Sequence, residues 1–149
     1  MLTINKEQII YHFSPIEAPA AYANSGDRVK FCTQDCYCEQ ITEDGKDFST
    51  TSMSHNNPAT GPLYVNGAEP DVLRVEIQAI DIEDEGSMCV RKGAGIYEIE
   101  GSHCRRFSIE DEKINFDNNI TIPIRPMIGV IGTAPEKEAI RTVVPSEHG

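Results

Sequence analysis

The sequence predicts a mainly β fold, a β-sandwich or barrel-like domain of short strands with little helix. Three observations support this prediction. Segments with the helical period are nearly absent, several short runs alternate apolar with polar residues, and turns containing glycine or proline separate those runs. A chain of 149 residues is long enough to enclose a core. We therefore expect residues 1–149 to form a single β-rich domain.

The N-terminal segment, residues 1–13, predicts one or two strands because part of it alternates. His12 falls on the face opposite Tyr11 and Phe13, which is typical of a surface histidine on a strand, and a ligand role is the alternative. A turn at residues 25–27 then leads into the next strand.

The second strand is predicted over Arg28–Ile41, where period-two alternation assigns the faces. Asp35 falls on the more apolar face, between Phe31 and Tyr37. Because burying a bare carboxylate is costly, Asp35 would have to be paired, metal-bound or neutral. A bulge in this strand would reverse the faces beyond it.

The chain contains five cysteines, an odd number without the spacing of a disulfide framework. Three of them, Cys32, Cys36 and Cys38, fall on one predicted strand face, where small buried thiols are favoured over a thiolate metal site. The N-terminus has no basic start followed by an apolar block, so no signal peptide is predicted. Together these features predict reduced thiols in a cytoplasmic protein.

Further strands follow in the second half of the sequence. The clearest alternation lies in Val72–Ile82, where Leu73, Val75 and Ile77 face one way and polar residues face the other. The other predicted elements are strands at 96–99, 103–109 and 120–124, a hairpin or turn over 109–119, and an apolar run at 127–132. The apolar run should be buried on both faces or covered by a partner.

The net charge is −11. This acidity argues against nucleic-acid binding and against binding to anionic membranes, since both need a basic surface. No apolar run approaches the roughly 20 residues of a membrane-spanning helix.

The most constrained stretch of the chain is His55–Val72, which combines three prolines and two glycines with one short apolar piece. Its first part carries His55, Asn56, Asn57 and Thr60, all able to bind a ligand or a metal ion. Simple turn chemistry between two strands is the alternative interpretation.

Three segments connect this stretch to a known family. Residues 57–65 read Asn-Pro-Ala-Thr-Gly-Pro-Leu-Tyr-Val, residues 67–70 read Gly-Ala-Glu-Pro, and residues 122–132 read Ile-Pro-Ile-Arg-Pro-Met-Ile-Gly-Val-Ile-Gly. With the final Pro-Ser-Glu-His-Gly, they resemble the acetamidase/formamidase family and the start of its His-Gly-Gly-Asn-x-Asp motif. The family usually has a glycine after the proline of its Ala-Glu-Pro-Gly-Asp turn, whereas Asp71 directly follows Pro70 here.

The resemblance implies the N-terminal half of a longer chain, with a mainly β, jelly-roll-like domain. It also implies hydrolysis of formamide, acetamide or a related short amide to the carboxylate and ammonia. Asp35, Asn57 and His148 match positions of the family's motifs and are the expected catalytic residues.

A divalent metal ion, with zinc as the first choice, can activate water and polarise the amide carbonyl. We expect Asp35 and His148 to bind it, with His55 or Asn57 as the candidate from the signature stretch. Because the family motif is cut after Gly149, we expect the active site to need a missing C-terminal half and this chain alone to be inactive.

A function of another class stays open, namely a non-catalytic β-domain that mediates oligomer assembly. The apolar run Met127–Ile131 would then be an interface strand. The expected partners are a small amide substrate and further copies of the chain in a homo-oligomer, with no nucleic acid and no membrane.

Overall fold

The structure is a computed structural model that describes residues 1–69 and 72–142. The regular secondary structure of the described chain consists almost entirely of short strands, which confirms the mainly β prediction. The strands are β1 (Leu2–Ile4), β2 (Ile9–Ile10), β3 (His12–Phe13), β4 (Ala21–Asn24), β5 (Val29–Phe31), β6 (Ala59–Thr60), β7 (Leu63–Asn66), β8 (Glu85–Val90), β9 (His103–Glu110), β10 (Lys113–Asp117), β11 (Ile120–Pro123) and β12 (Ile140–Arg141), with 3-10 helices at Phe48–Thr50 and Met53–His55.

The chain divides into two compact units. Unit 1 comprises Met1–Cys38, Met53–Glu76 and the described part of Ile128–Gly149, and unit 2 comprises Glu39–Ser52 and Ile77–Met127. The organisation of residues 1–149 as a single domain stays a prediction.

Unit 1 consists of strand pairs between segments that are distant in sequence. The parallel pairs are β1 with β5 and β4 with β7, and the antiparallel pairs are β2 with β6 and β3 with β12. Its core contains Ile4, Ala23 and Ala59, which are at most 7% exposed. In the β4–β7 pair, Ala23 points inward while Tyr22 and Tyr64 lie opposite each other on the exposed face, as the period of a strand requires.

Unit 2 contains a four-stranded antiparallel sheet in the order β11-β10-β9-β8. Phe107 of β9 is buried and stacks on Phe116 of β10, with ring centroids 5.3 Å apart. The β9–β10 hairpin closes through Asp111 and Glu112, which both have positive φ, of 48° and 58°. Two left-handed residues between paired strands form the type I′ geometry that suits the twist of a hairpin, and the predicted hairpin is confirmed.

The strand predicted over Val72–Ile82 is wrong. Residues 72–82 adopt no strand, and among the described residues no strand pairs with them. The apolar side chains of Leu73, Val75 and Ile77 are each about half exposed. Alternation predicts a half-buried surface, but a strand also needs a neighbour for its backbone groups.

The predicted strand at 96–99 and the predicted burial of the apolar run at 127–132 also differ from the structure. Residues 96–99 form bends and irregular backbone, and Ile96 is 92% exposed. The apolar run 127–132 is not a strand, and Met127 is 76% exposed, so burial on both faces is wrong for the described chain.

Cys89 and Cys104 form a disulfide. The prediction of reduced thiols is therefore wrong for these two residues, while Cys32, Cys36 and Cys38 are free thiols. The pair lies in register on β8 and β9, a cross-strand contact that the sequence spacing does not reveal. Neither short helical segment of residues 1–69 and 72–142 has the length and apolar character needed to cross a membrane.

Candidate active site

The predicted site residues Asp35 and Asn57 lie in two loops of unit 1. Asp35 belongs to residues 32–38, the thiol loop, which follows β5. Asn57 belongs to residues 53–62, the signature loop, which surrounds β6. His148 lies outside the described residues, so its place in the site stays a prediction.

Hydrogen bonds join the thiol loop to the signature loop at three points. The backbone N–H of Asn57 donates to the carbonyl of Cys36 over 2.8 Å. The thiol of Cys38 donates to the carbonyl of His55 over 2.8 Å, and the hydroxyl of Thr60 donates to the carbonyl of Cys32 over 3.1 Å. The fold therefore brings together the loops that carry two of the three predicted catalytic residues.

The thiol loop is a chain of turns and not the second half of a strand. The predicted strand Arg28–Ile41 ends at Phe31, where β5 ends. The Asp35 carboxylate accepts the backbone N–H of Tyr37 over 2.8 Å, and Cys38 and Glu39 have positive φ of 53° and 57°. Left-handed residues cannot continue an extended strand.

Asp35 is consequently exposed, and its predicted position on an apolar strand face is wrong. Its hydrogen bond to a backbone N–H two residues on is typical of an Asx turn. An exposed carboxylate is accessible to a ligand, because no burial cost opposes its charge.

Asn57 adopts a left-handed conformation, with φ of 53°, which asparagine tolerates better than most residues. Its carbonyl accepts the hydroxyl of Thr142 over 2.6 Å. Next to it, the side-chain oxygen Oδ1 of Asn56 is shielded from solvent and has no hydrogen-bond partner among the described residues. An orphaned acceptor of this kind suits a water molecule or a polar ligand group.

Tyr11 lies between β2 and β3 and contacts both loops. Its hydroxyl lies 3.4 Å from the sulfur of Cys38, and its ring meets the His55 ring edge-on, with centroids 5.3 Å apart. The contact with Cys38, together with partial desolvation, raises the pKa of Tyr11 to about 12. The phenol is therefore a hydrogen-bond donor at neutral pH and not a base.

The thiols of the thiol loop do not form the predicted buried face. Cys36 is exposed, and Cys32 and Cys38 are half-buried. Partial desolvation, followed by the neighbouring charge of Asp35, raises the pKa of the Cys36 thiol. The thiolate, which is the nucleophilic form, is therefore disfavoured at this position.

Within residues 1–69 and 72–142, no group of three or more His, Cys, Asp or Glu side chains is arranged to hold a metal ion. A cation at Asp35 would need ligands from other parts of the protein. His148 keeps its predicted role as such a ligand, and the metal itself stays a prediction.

Two residues of this site, Tyr11 and Thr142, have no local sequence pattern that points to a role in it. Both act through contacts between distant parts of the chain, since the backbone N–H of Thr142 donates to the Tyr11 carbonyl. Alternation assigned Tyr11 only to a strand face, and no local motif points to Thr142. His12, by contrast, is an exposed strand residue, as its more ordinary interpretation predicted.

Solved structures of named proteins match nearly the whole chain. The crystal structure of an acetamidase from Bacillus halodurans matches 99% of this chain and 51% of its own, with a TM-score of 0.94 and 36% sequence identity. A recombinant predicted acetamidase/formamidase from the thermophile Thermoanaerobacter tengcongensis matches 99% of this chain and 50% of its own, with a TM-score of 0.93 and 34% identity.

A third structure, an acetamidase from Yersinia enterocolitica, shares the fold at a TM-score of 0.77 and 22% identity, over 99% of this chain and 51% of its own. The chain thus spans about half the length of each of these proteins. No protein-family model and no curated protein matches the chain.

Proposed function

The chain belongs to the acetamidase/formamidase family, as its signature loop predicted, and we propose that it forms part of a hydrolase of short linear amides. The proposed reaction converts formamide, acetamide or a related amide to the carboxylate and ammonia. The observation that carries the proposal is the pair of structures named acetamidase and acetamidase/formamidase, which match 99% of the chain at TM-scores of 0.94 and 0.93.

The contacts between the two loops support the choice of site residues. The bond from Asn57 to Cys36 anchors the signature loop directly beside Asp35. Asp35 is exposed, as a ligand-binding carboxylate should be, and Asn57 carries both a donor and an acceptor on its side chain. The unpaired Oδ1 of Asn56 is a further polar atom at this place.

We infer that Asp35 and His148 hold a zinc ion. The exposed carboxylate of Asp35 has the donor chemistry that zinc accepts, and the imidazole of His148 is the commonest nitrogen ligand. When bound, the ion supplies a Lewis acid that lowers the pKa of water and polarises the amide carbonyl. Since the described residues hold no complete ligand set, the remaining ligand has to come from elsewhere in the full site.

The roles of the chain's own groups follow from what amide cleavage needs. The side-chain N–H of Asn57 orients the substrate by donating to the amide carbonyl oxygen, where negative charge develops. Asp35 and His148 act by holding and orienting the ion, so an acid–base group from the rest of the full site has to carry the proton from the attacking water to the leaving nitrogen. The ammonia then departs as the neutral product.

The proposed active site is completed by a second half that corresponds to the unmatched part of the relatives. This chain alone is therefore inactive, and the homo-oligomer expected from the sequence stays a prediction.

Ammonia release tests this proposal. The chain should release no ammonia from formamide or acetamide, with or without zinc, and should gain activity when mixed with the second half of the Bacillus halodurans acetamidase. Asp35→Asn should abolish the gained activity, while the exposed Asp27→Asn, in a turn of unit 1, should retain it. Turnover by the chain alone would contradict the need for a second half. The positive control is the relative's own two halves, which should be active together. If that control is active and the mixture is not, the amidase assignment is contradicted.

A second candidate function, a non-catalytic module for oligomer assembly, is favoured by the exposure of Leu73, Val75 and Met127. The metal content of the purified chain separates the two candidates. Zinc that survives dialysis and is lost in His148→Ala favours the enzyme. A metal-free chain that associates with increasing concentration favours the module.

A further inference from the structure

Tyr11 contacts each of the segments of unit 1 that meet at the candidate site. Its hydroxyl faces Cys38 of the thiol loop, and its ring packs against His55 of the signature loop. Its carbonyl accepts the backbone N–H of Thr142 over 3.2 Å, in the segment after β12.

The directions of these hydrogen bonds follow from counting protons. A thiol has one hydrogen, and Cys38 donates it to the His55 carbonyl over 2.8 Å. The Tyr11 hydroxyl must therefore donate to the sulfur. Likewise, the single hydroxyl hydrogen of Thr142 goes to the Asn57 carbonyl over 2.6 Å and not to the Tyr11 carbonyl at 3.3 Å.

The result is one continuous path from Tyr11 through the Cys38 sulfur to the His55 carbonyl. The path crosses the junction between the two loops. Beside it, Cys38 and Asn57 both have positive φ, a backbone conformation that is less favourable for residues other than glycine. Residues in such conformations persist only where surrounding contacts fix them.

We propose that Tyr11 is a positioning residue for the candidate active site, which fixes the thiol loop of Asp35 against the signature loop of Asn57 through Cys38 and His55. This proposal rests on the proposed function only in assigning the two loops to an amidase site. The arrangement itself is a property of the chain without substrate.

Tyr11→Phe is the main test, because it keeps the ring contact with His55 and removes the hydroxyl. Amide hydrogen exchange is read at two reporters, the N–H of Tyr37, which binds Asp35, and the N–H of Asn57, which binds Cys36. Both should exchange about 5- to 10-fold faster, as expected for the loss of one supporting hydrogen bond. The matched control is Tyr22→Phe, which removes the hydroxyl of an exposed tyrosine in the same unit.

Two changes at Cys38 separate positioning from general stability. Cys38→Ser keeps a group that donates to His55 and accepts from Tyr11, so it should retain slow exchange. Cys38→Ala should accelerate exchange at least as much as Tyr11→Phe, because it also removes the hydrogen bond to the His55 carbonyl. Combining Cys38→Ala with Tyr11→Phe should add nothing further, because both changes break the same path.

Binding of Zn²⁺ alone gives a second readout, and Tyr11→Phe should weaken it by about 10-fold if zinc binds at Asp35. Unchanged exchange at Tyr37 and Asn57 in Tyr11→Phe would overturn the proposal, as would equal acceleration throughout β1, β4 and β7. A failure of amide hydrolysis in the reconstituted protein would count against the proposed function only, because the exchange measurement needs no turnover.

Discussion

The strands of the sheet in unit 2 follow one another along the chain, whereas each strand pair of unit 1 joins distant segments. In unit 2, β8 to β11 pair with their sequence neighbours. In unit 1, β3 pairs with β12, so that Phe13 meets Ile140. Strand pairs between distant segments cost more loop-closure entropy than hairpins do. They form only when the free energy of other contacts offsets this cost.

The candidate active site lies in the unit with the non-local pairs. Its two loops come from separate parts of the sequence, and Thr142 approaches them from near the end of the described chain. A site assembled in this way gathers polar groups that no single strand or hairpin could supply. It also depends on a few central contacts, which can be removed one at a time.

The largest expected effect is at the core of unit 1. Ile4 is 0% exposed, and Ile4→Ala should lower the free energy of unfolding by about 2–5 kcal/mol, since it removes buried methyl groups and leaves a cavity. Urea unfolding measures the loss. The matched control is Ile16→Ala, at a side chain that is 89% exposed, and its effect should stay within about 0.5 kcal/mol. Equal effects at both positions would mean that unit 1 is not organised around Ile4.

A smaller effect is expected where the end of the described chain meets the signature loop. Thr142→Val keeps the shape of a buried side chain but leaves the Asn57 carbonyl without its hydroxyl partner, so it should cost about 1–3 kcal/mol. Faster amide exchange at Asn57 should accompany the loss measured in urea. Thr121→Val, at an exposed position of unit 2, serves as the control and should change neither quantity.

The hairpin of unit 2 offers a change in the opposite direction. Glu112 has a φ of 58°, which glycine adopts without strain, so Glu112→Gly should raise the free energy of unfolding by about 0.5–1 kcal/mol. Glu110→Gly, two residues earlier in β9, should lower it by a similar amount because strand backbone gains nothing from glycine. A loss of stability in both variants would contradict the type I′ turn.

The smallest effect concerns the pH dependence of Cys36. Partial desolvation and the charge of Asp35 raise the pKa of this thiol, so the protonated form is favoured by folding. This contribution to stability is complete below the pKa of the unfolded thiol and is lost as the pH rises through the higher pKa of the folded one. Alkylation by iodoacetamide, followed by peptide mass spectrometry, should therefore rise at higher pH for Cys36 than for the same thiol in the unfolded chain.

Asp35→Asn should shift the alkylation profile of Cys36 back only in part, since desolvation is the larger cause and remains. An unshifted profile would exclude a contribution from the carboxylate. A shift back to the profile of the unfolded chain would assign the entire effect to it.

The contrast between the units also explains which features could be predicted from the sequence. The β9–β10 hairpin and β11 are local, and alternation with turn residues predicted them. The signature loop was recognised from its residues. The contact of Tyr11 with Thr142 and the Cys89–Cys104 disulfide depend on tertiary pairing, for which the sequence carries no local signal.

Alternation of apolar and polar residues predicted strands wrongly in segments that have no neighbouring strand to pair with. Val72–Ile82 has the clearest period of two in the chain, yet no described strand pairs with it. In the thiol loop, alternation could not register that β5 ends at Phe31 and that Asp35 opens a turn, so the face assigned to Asp35 was wrong. Both errors arise because side-chain pattern reports which residues could face a core and not whether the backbone has partners.

The central proposal is that the thiol loop and the signature loop of unit 1 form one half of a metal-assisted amidase site. A crystal structure of the chain combined with the second half of the Bacillus halodurans acetamidase, grown with zinc and recorded at the zinc absorption edge, measures this most directly. We predict an anomalous peak about 2.0–2.2 Å from an Asp35 carboxylate oxygen and from the His148 imidazole, with Asn57 facing the open coordination position. Placement of the Asp35 carboxylate more than about 10 Å from both Asn57 and His148, far outside the reach of metal ligands, would contradict it.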